Sequence, residues 1–192
     1  MSVIFAGVVI WNAIFFAVSL LTAYFWRSAD PKAWWHFSAG VTTGLFTMLT
    51  HCLVLIHMSG SSKGIKEALG AFGLEEPTRQ RFAARLKRHR AQLSGYAYFC
   101  PLLVMATVFL GGWHHSKLLF HESFRFELSM QWHRAVAWAT VAINLWAFWR
   151  EYQIVRANTA LIEEVNDLLR SRGLVRDEAQ SPSDTEPEPA VS

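Results

Sequence analysis

The chain has 192 residues, enough for one domain; 52% are hydrophobic and 14% aromatic, nine of them Trp. Its charges gather between apolar runs, a membrane pattern that excludes a water-soluble core as the organising feature. The net charge of +3 hides a split, because residues 173–192 set Arg176 against Asp177, Glu178, Asp184, Glu186 and Glu188, a net of −4. The positive remainder reads as membrane orientation, and no soluble basic domain is present to bind nucleic acid. Cys52 and Cys100 both sit inside apolar runs, which excludes a disulfide framework or a CxxC metal site.

Residues 3–26 form the first charge-free run. It lacks a positive flank and exceeds a signal peptide's apolar segment, so it reads as a retained transmembrane helix. Asn12, Ser19 and Thr22 lie close to one of its faces. An amide at the depth of Asn12 must face other helices, since an unpaired amide in hydrocarbon is costly. A short turn around Pro31 makes the next span, residues 34–58, an antiparallel neighbour. On that second span His36, Gly40, Thr43, Gly44, Thr47 and His51 share one small, polar face, which requires cover from other helices.

The second helix is expected to end near Met58, where Ser59-Gly60-Ser61-Ser62 supplies a cap and loop. The run from Gly60 to Gly64 has no strand before it, so it is not a phosphate loop. Residues 59–95 form a linker. Ile65, Ala68, Leu69 and Phe72 mark a short amphipathic helix closed by Gly73, and a basic helix starting after Pro77 runs into the third span, 96–113. Pro101 falls in the first turns of that span, where it is tolerated.

The fourth span, residues 131–152, carries the clearest stripe: His133, Ala137, Thr140, Asn144, Ala147 and Glu151. It continues as a helical extension over 153–172, where Ile154, Leu161 and Leu168 recur at heptad spacing and are expected to pack on the basic linker. Residues 173–192 have the composition of a disordered acidic tail. The fold expected for residues 1–172 is all-α, a polytopic four-transmembrane-helix up-down bundle with an amphipathic basic cytoplasmic linker between helices 2 and 3.

Lys and Arg counts put the N-terminus, the linker and the C-terminus in the cytoplasm, as for a multi-pass protein of the cell (inner) membrane. Trp26, Trp34, Trp35, Trp113 and Trp132 then form an aromatic belt at the outer edge. The same register puts His36, His114, His115 and His133 there, with His121 in the loop above; stripe phase turns His36, His114 and His133 inward. Imidazoles converging from three helices are what haem b or a divalent transition metal requires, so these three are the candidate cofactor or metal ligands. Packing at the interface with no cofactor at all is the competing reading.

Deeper lie Asn12, His51 and Asn144, with Glu151 one or two turns nearer the cytoplasm. This polar intramembrane layer serves either helix pairing or a proton- or quinone-handling site. Asn12 and Asn144 are the expected partners of a neutral His51.

Three functions remain open. The first is a redox-associated subunit binding one haem b or metal. The second is a structural or assembly protein whose linker, Lys63 to Arg90, docks anionic lipid, a protein partner or another copy of the chain. The third is an enzyme acting on a lipid or quinone, with no catalytic residue identifiable.

Overall fold

The computed structural model describes residues 2–25, 33–120 and 130–175. Four helices account for nearly all of them: α1 (Ser2–Phe25), α2 (Ala33–Ala71), α3 (Glu76–Phe120) and α4 (Met130–Ser171). Trp26, the loop with His121 and the acidic tail from Arg176 lie outside the described residues, as do the side chains of His114 and His115.

The helices run up and down. Asn12 meets Thr47 and Thr50, while Thr22 meets His36, so α1 and α2 are antiparallel. Thr107 meets Thr140 and Arg85 meets Glu164, so α3 and α4 are antiparallel too. On the polar face of α2, α3 comes close at Gly44: a Cβ there would lie 3.1 Å from Val108 Cγ2 and 3.3 Å from Val104 Cγ1. Only glycine lets α3 come that near without displacing those two valines.

Burial is inverted relative to a water-soluble protein. Asn12, Thr47, Thr50, His51, Asn144 and Glu151 are fully buried, while Ile10, Trp11, Leu45, Phe99, Leu102 and Phe109 are exposed. Helices with polar interiors and apolar exteriors suit hydrocarbon as solvent. Among the described residues, three segments are long and apolar enough to cross a membrane: Val3–Phe25, Trp34–Ala71 and Glu76–Trp113.

The expected end of the second helix near Met58 is wrong, because α2 continues without a break to Ala71. Gly60 and Gly64 are poor helix residues, yet Ser62 Oγ donates to Met58 O at 2.6 Å and satisfies itself inside the helix. Ile65 and Leu69 are then buried in a tertiary cluster, which outweighs the local weakness. The actual stop is Gly73, at φ 58°, a left-handed conformation that favours glycine.

At 39 residues α2 is about 58 Å long, nearly twice a hydrocarbon core. Its excess length, with the start of α3 and the end of α4, builds a three-helix extension. Ile65, Leu69, Leu74, Phe82, Leu86, Leu161, Val165 and Leu169 are its core. The expected packing of residues 153–172 on the basic segment is therefore seen, although Leu169, not Leu168, is the buried member of its last turn.

On the extension's surface both Arg81 and Arg85 donate to Glu164. The hydrogen bond from Arg85, and then the charges of both guanidiniums, holds the Glu164 carboxyl below the usual carboxylate range. A folded-state value below the unfolded one stabilises above the unfolded carboxylate range and is lost as pH falls through the folded value. Glu164→Gln should therefore lower the thermal stability of the extension at neutral pH. The difference from wild type should vanish in acid, as read by circular dichroism melts across a pH series.

Candidate functional site

Two polar constellations occupy the bundle interior. The first lines a cavity of about 770 Å³ near the start of α2 and α4. Its walls mix apolar side chains, including Phe16, Leu20, Val104 and Val141, with His36, Thr107, His133 and Thr140, and Arg134 is its charged lining residue. That size lies within the roughly 300–1,000 Å³ range of cofactor and small-molecule sites.

The rings of His36 and His133 come together here, with centroids 6.3 Å apart and planes at 67°. His36 Nδ1 lies 3.2 Å from the carbonyl oxygen of Ser19. A carbonyl only accepts, so Nδ1–H donates and the ring lone pair is carried on Nε2. Such an anchor fixes the tautomer and orientation of a ligating histidine. His133 packs on α3 at Gly111, where an added Cβ would lie 2.9 Å from its Cε1. His114 stands on α3 one turn beyond Gly111, but its side chain lies outside the described residues.

Gly111→Ala should displace the His133 ring, since that approach is closer than real Cβ contacts allow. The expected result is weakened binding by any occupant that His133 holds. Gly112→Ala should leave binding unchanged, because its Cβ would meet Phe37 Cε2 at an ordinary 3.5 Å. Titration of the purified variants with hemin checks both.

The second constellation lies deeper and joins α2 to α4. His51 Nδ1 is 2.7 Å from Glu151 Oε1, and His51 Nε2 is 3.2 Å from Asn144 Oδ1, with all three residues fully buried. Asn144 Nδ2 donates to the Thr140 carbonyl at 2.8 Å, which leaves Oδ1 as the atom turned to the imidazole. Phe148 stacks on the ring at 5.0 Å between centroids, and the buried Cys100 thiol of α3 lies against it.

The expected Asn12–His51 partnership is not formed. Asn12 Nδ2 donates to Thr50 Oγ1 at 2.7 Å, and Asn12 Oδ1 accepts from Thr47 Oγ1 at 2.9 Å. Thr50 and His51 are consecutive, about 100° apart around α2. When Thr50 faces α1, His51 is carried round to α4, where Glu151 meets it. A ring at this depth is expected to be neutral unless an anion lies close, and the Glu151 carboxyl lies 2.7 Å from Nδ1.

Sequence reasoning did not identify Thr50, Phe148, Cys100 or Arg134 as members of these sites. Phe148 carried no signal, since one aromatic among several on α4 is not distinguished by spacing.

Among the described residues, no group of three or more His, Cys, Asp or Glu is placed to hold a metal ion. No family model, no curated protein and no solved structure matches this chain.

Proposed function

We propose that this is a redox-associated integral membrane protein that binds one haem b between His36 and His133. The observation that carries it is the pair of imidazoles at 6.3 Å across a cavity far larger than an ion needs. A metal held by one nitrogen of each ring at about 2 Å would put the ring centres roughly 6 Å apart. Two histidines under-coordinate a bare transition ion, whereas haem b would need from the protein only the two ligands that His36 and His133 would supply. Haem is therefore favoured over a free metal at these residues. Bound there, it would supply one-electron chemistry. Ser19 would hold His36 in its ligating tautomer, Gly111 would admit His133, and Arg134 at the mouth would pair with an anionic substituent.

The same reading takes α4 as a fourth span. Its interior face bears His133, Asn144 and Glu151, which lowers its average hydropathy, while Trp132, Trp138, Leu145, Trp146 and Trp149 are exposed on its outside. Its bonds to Thr107 and His51 set it at the depth of α2 and α3. The Lys/Arg rule assigns the helical extension and both termini to the cytoplasm. The exposed Lys63, Lys66, Lys87, Arg88 and Arg90 would there meet anionic headgroups.

Optical spectra of protein purified from haem-replete cells, or titrated with hemin, test the proposal. A Soret band of one haem per chain is expected. It should be lost or strongly shifted in His36→Ala and His133→Ala and retained in His51→Gln. A colourless wild-type protein that fails to take up hemin overturns the haem reading and leaves the cavity a packing feature.

A further inference from the structure

Charge on the extension is sorted by height above the apolar spans. Towards the tip the ions are paired: Arg79 with Glu76, Arg81 and Arg85 with Glu164, and Arg170 with Asp167. Nearer the spans the cations lack such partners. Among the described residues Lys66, Lys87 and Arg90 are exposed and make no ion pair. Lys63 approaches Glu67 at 3.7 Å with both side chains exposed, a contact that holds neither charge firmly.

Helix packing brings these four cations to one level. α2 and α3 are antiparallel, with Gly44 against Val104 and Val108 and His51 against Cys100. Counting on from His51 and Cys100 in opposite directions sets Lys87 and Arg90 opposite residues 64 and 61 of α2. The four therefore lie within about 8 Å along the bundle, and Lys63 and Lys66 stand about 8–12 Å beyond the charge-free run that ends at Met58. That is the depth of lipid headgroups.

They also share one flank. Ser61 and Arg85 both face α4, through Asn158 and Glu164. At about 100° per residue, Lys63 and Lys66 on α2, and Lys87 and Arg90 on α3, all fall within roughly 40° of the side opposite to those contacts. This is the outer surface of the α2 and α3 pair, and α1 does not cover it, because α1 packs on α2 and α4 and not on α3. Below the cations the same phase carries Ser59 and Ser94, then Ile56 and Tyr98, then Leu45 and Met105. All are exposed except half-buried Ser94. Cations, hydroxyls and apolar side chains thus follow one another in the order of phosphate, glycerol ester and acyl chain in a phospholipid.

We propose that this flank binds one anionic phospholipid of the leaflet on the extension's side. Lys63, Lys66, Lys87 and Arg90 hold its phosphate, and its chains lie along Ile56, Tyr98 and the apolar residues below. A phosphate gains charge-assisted hydrogen bonds from such groups, whereas a zwitterionic headgroup also sets its own cation against the lysines. The site rests on the reading of α2 and α3 as membrane spans, and it narrows the general attraction of basic residues for headgroups to one place. Arg88, about 60° round α3 from Arg85, and Arg156 on α4 stand at a similar level and lie off the flank.

Native mass spectrometry of the full chain, released from neutral-detergent micelles holding equal phosphatidylglycerol and phosphatidylcholine, tests the site. Wild type should retain one phosphatidylglycerol with at least a several-fold preference. Lys63→Gln/Lys66→Gln/Lys87→Gln/Arg90→Gln should lose that preference at unchanged helix content. If this variant does not fold, Lys66→Gln/Lys87→Gln is read in its place and should show a partial loss. Arg88→Gln/Arg156→Gln should keep the preference. A preference that survives the fourfold change overturns the site, and so does an equal loss in both variants, which would leave only general surface attraction. The chain's own acidic residues are the rival occupant. Uptake that appears only when Asp177, Glu178, Asp184, Glu186 and Glu188 are all changed to amides would give the flank to the tail and overturn the lipid assignment. None of these readouts involves haem, so a colourless protein does not alter them.

Discussion

Glu151→Leu should destabilise the bundle by about 3–5 kcal/mol, the cost of removing one partner from a buried, hydrogen-bonded ion pair. His51 would lose its 2.7 Å bond and remain inside the bundle with no carboxylate to meet it. The orphan Oε2 would disappear as well, but an unsatisfied buried acceptor costs only about 1–3 kcal/mol, and its removal does not offset the lost pair. Glu151→Gln should cost much less, because an amide oxygen can still accept from Nδ1. The double variant His51→Leu/Glu151→Leu is the informative control. Two apolar residues of similar size need no desolvation, so its stability should return to within about 1–2 kcal/mol of wild type or exceed it. Denaturant titrations in mixed micelles, followed by helical circular dichroism, measure all four proteins. A double variant as unstable as Glu151→Leu would mean that the pair stabilises the fold rather than serving a separate task.

The difference between what sequence revealed and what it concealed is visible around that same pair. Depth was readable, because 1.5 Å per residue places Asn12, His51 and Asn144 at one level once the spans are aligned. Azimuth was not, because a stripe says which residues share a face but not which neighbour that face meets. Thr50 and His51 adjoin in sequence and serve different helices, and only the packed bundle decides which goes where. The continuity of α2 was concealed for another reason. Gly60, Ser61, Ser62 and Gly64 form a run that local propensity reads as a break. Two serine side chains that bond back to Met58, with Ile65 and Leu69 buried beyond, hold it helical. At the cavity, spacing selects His36, His114 and His133; the rings of His36 and His133 lie 6.3 Å apart, the His114 side chain is outside the described residues, and nothing in the spacing indicates the cavity between α1, α2, α3 and α4.

Leu161→Ala should destabilise the extension by about 2–5 kcal/mol, within the range for truncating a fully buried leucine. Leu161 is completely buried among Ile65, Leu69, Phe82, Leu86 and Val165, where α2, α3 and α4 meet beyond the apolar spans. Under the four-span reading proposed above, water is the solvent of that cluster, so its apolar burial would carry the full hydrophobic term as well as packing. Within the spans, lipid is as apolar as leucine and only packing is at stake. Val54→Ala, at a similarly buried position, should therefore cost less per methyl group removed than Leu161→Ala. Limited trypsin digestion in bilayers separates the two regions, because Arg79, Arg81, Lys87, Arg88 and Arg90 are exposed sites on the extension. Cleavage there should accelerate strongly in Leu161→Ala and little in Val54→Ala. The span 34–58 carries no Lys or Arg and should resist in both variants. Equal acceleration in the two would place the extension and the spans in one cooperative unit, with α2, α3 and α4 unfolding along their whole length together.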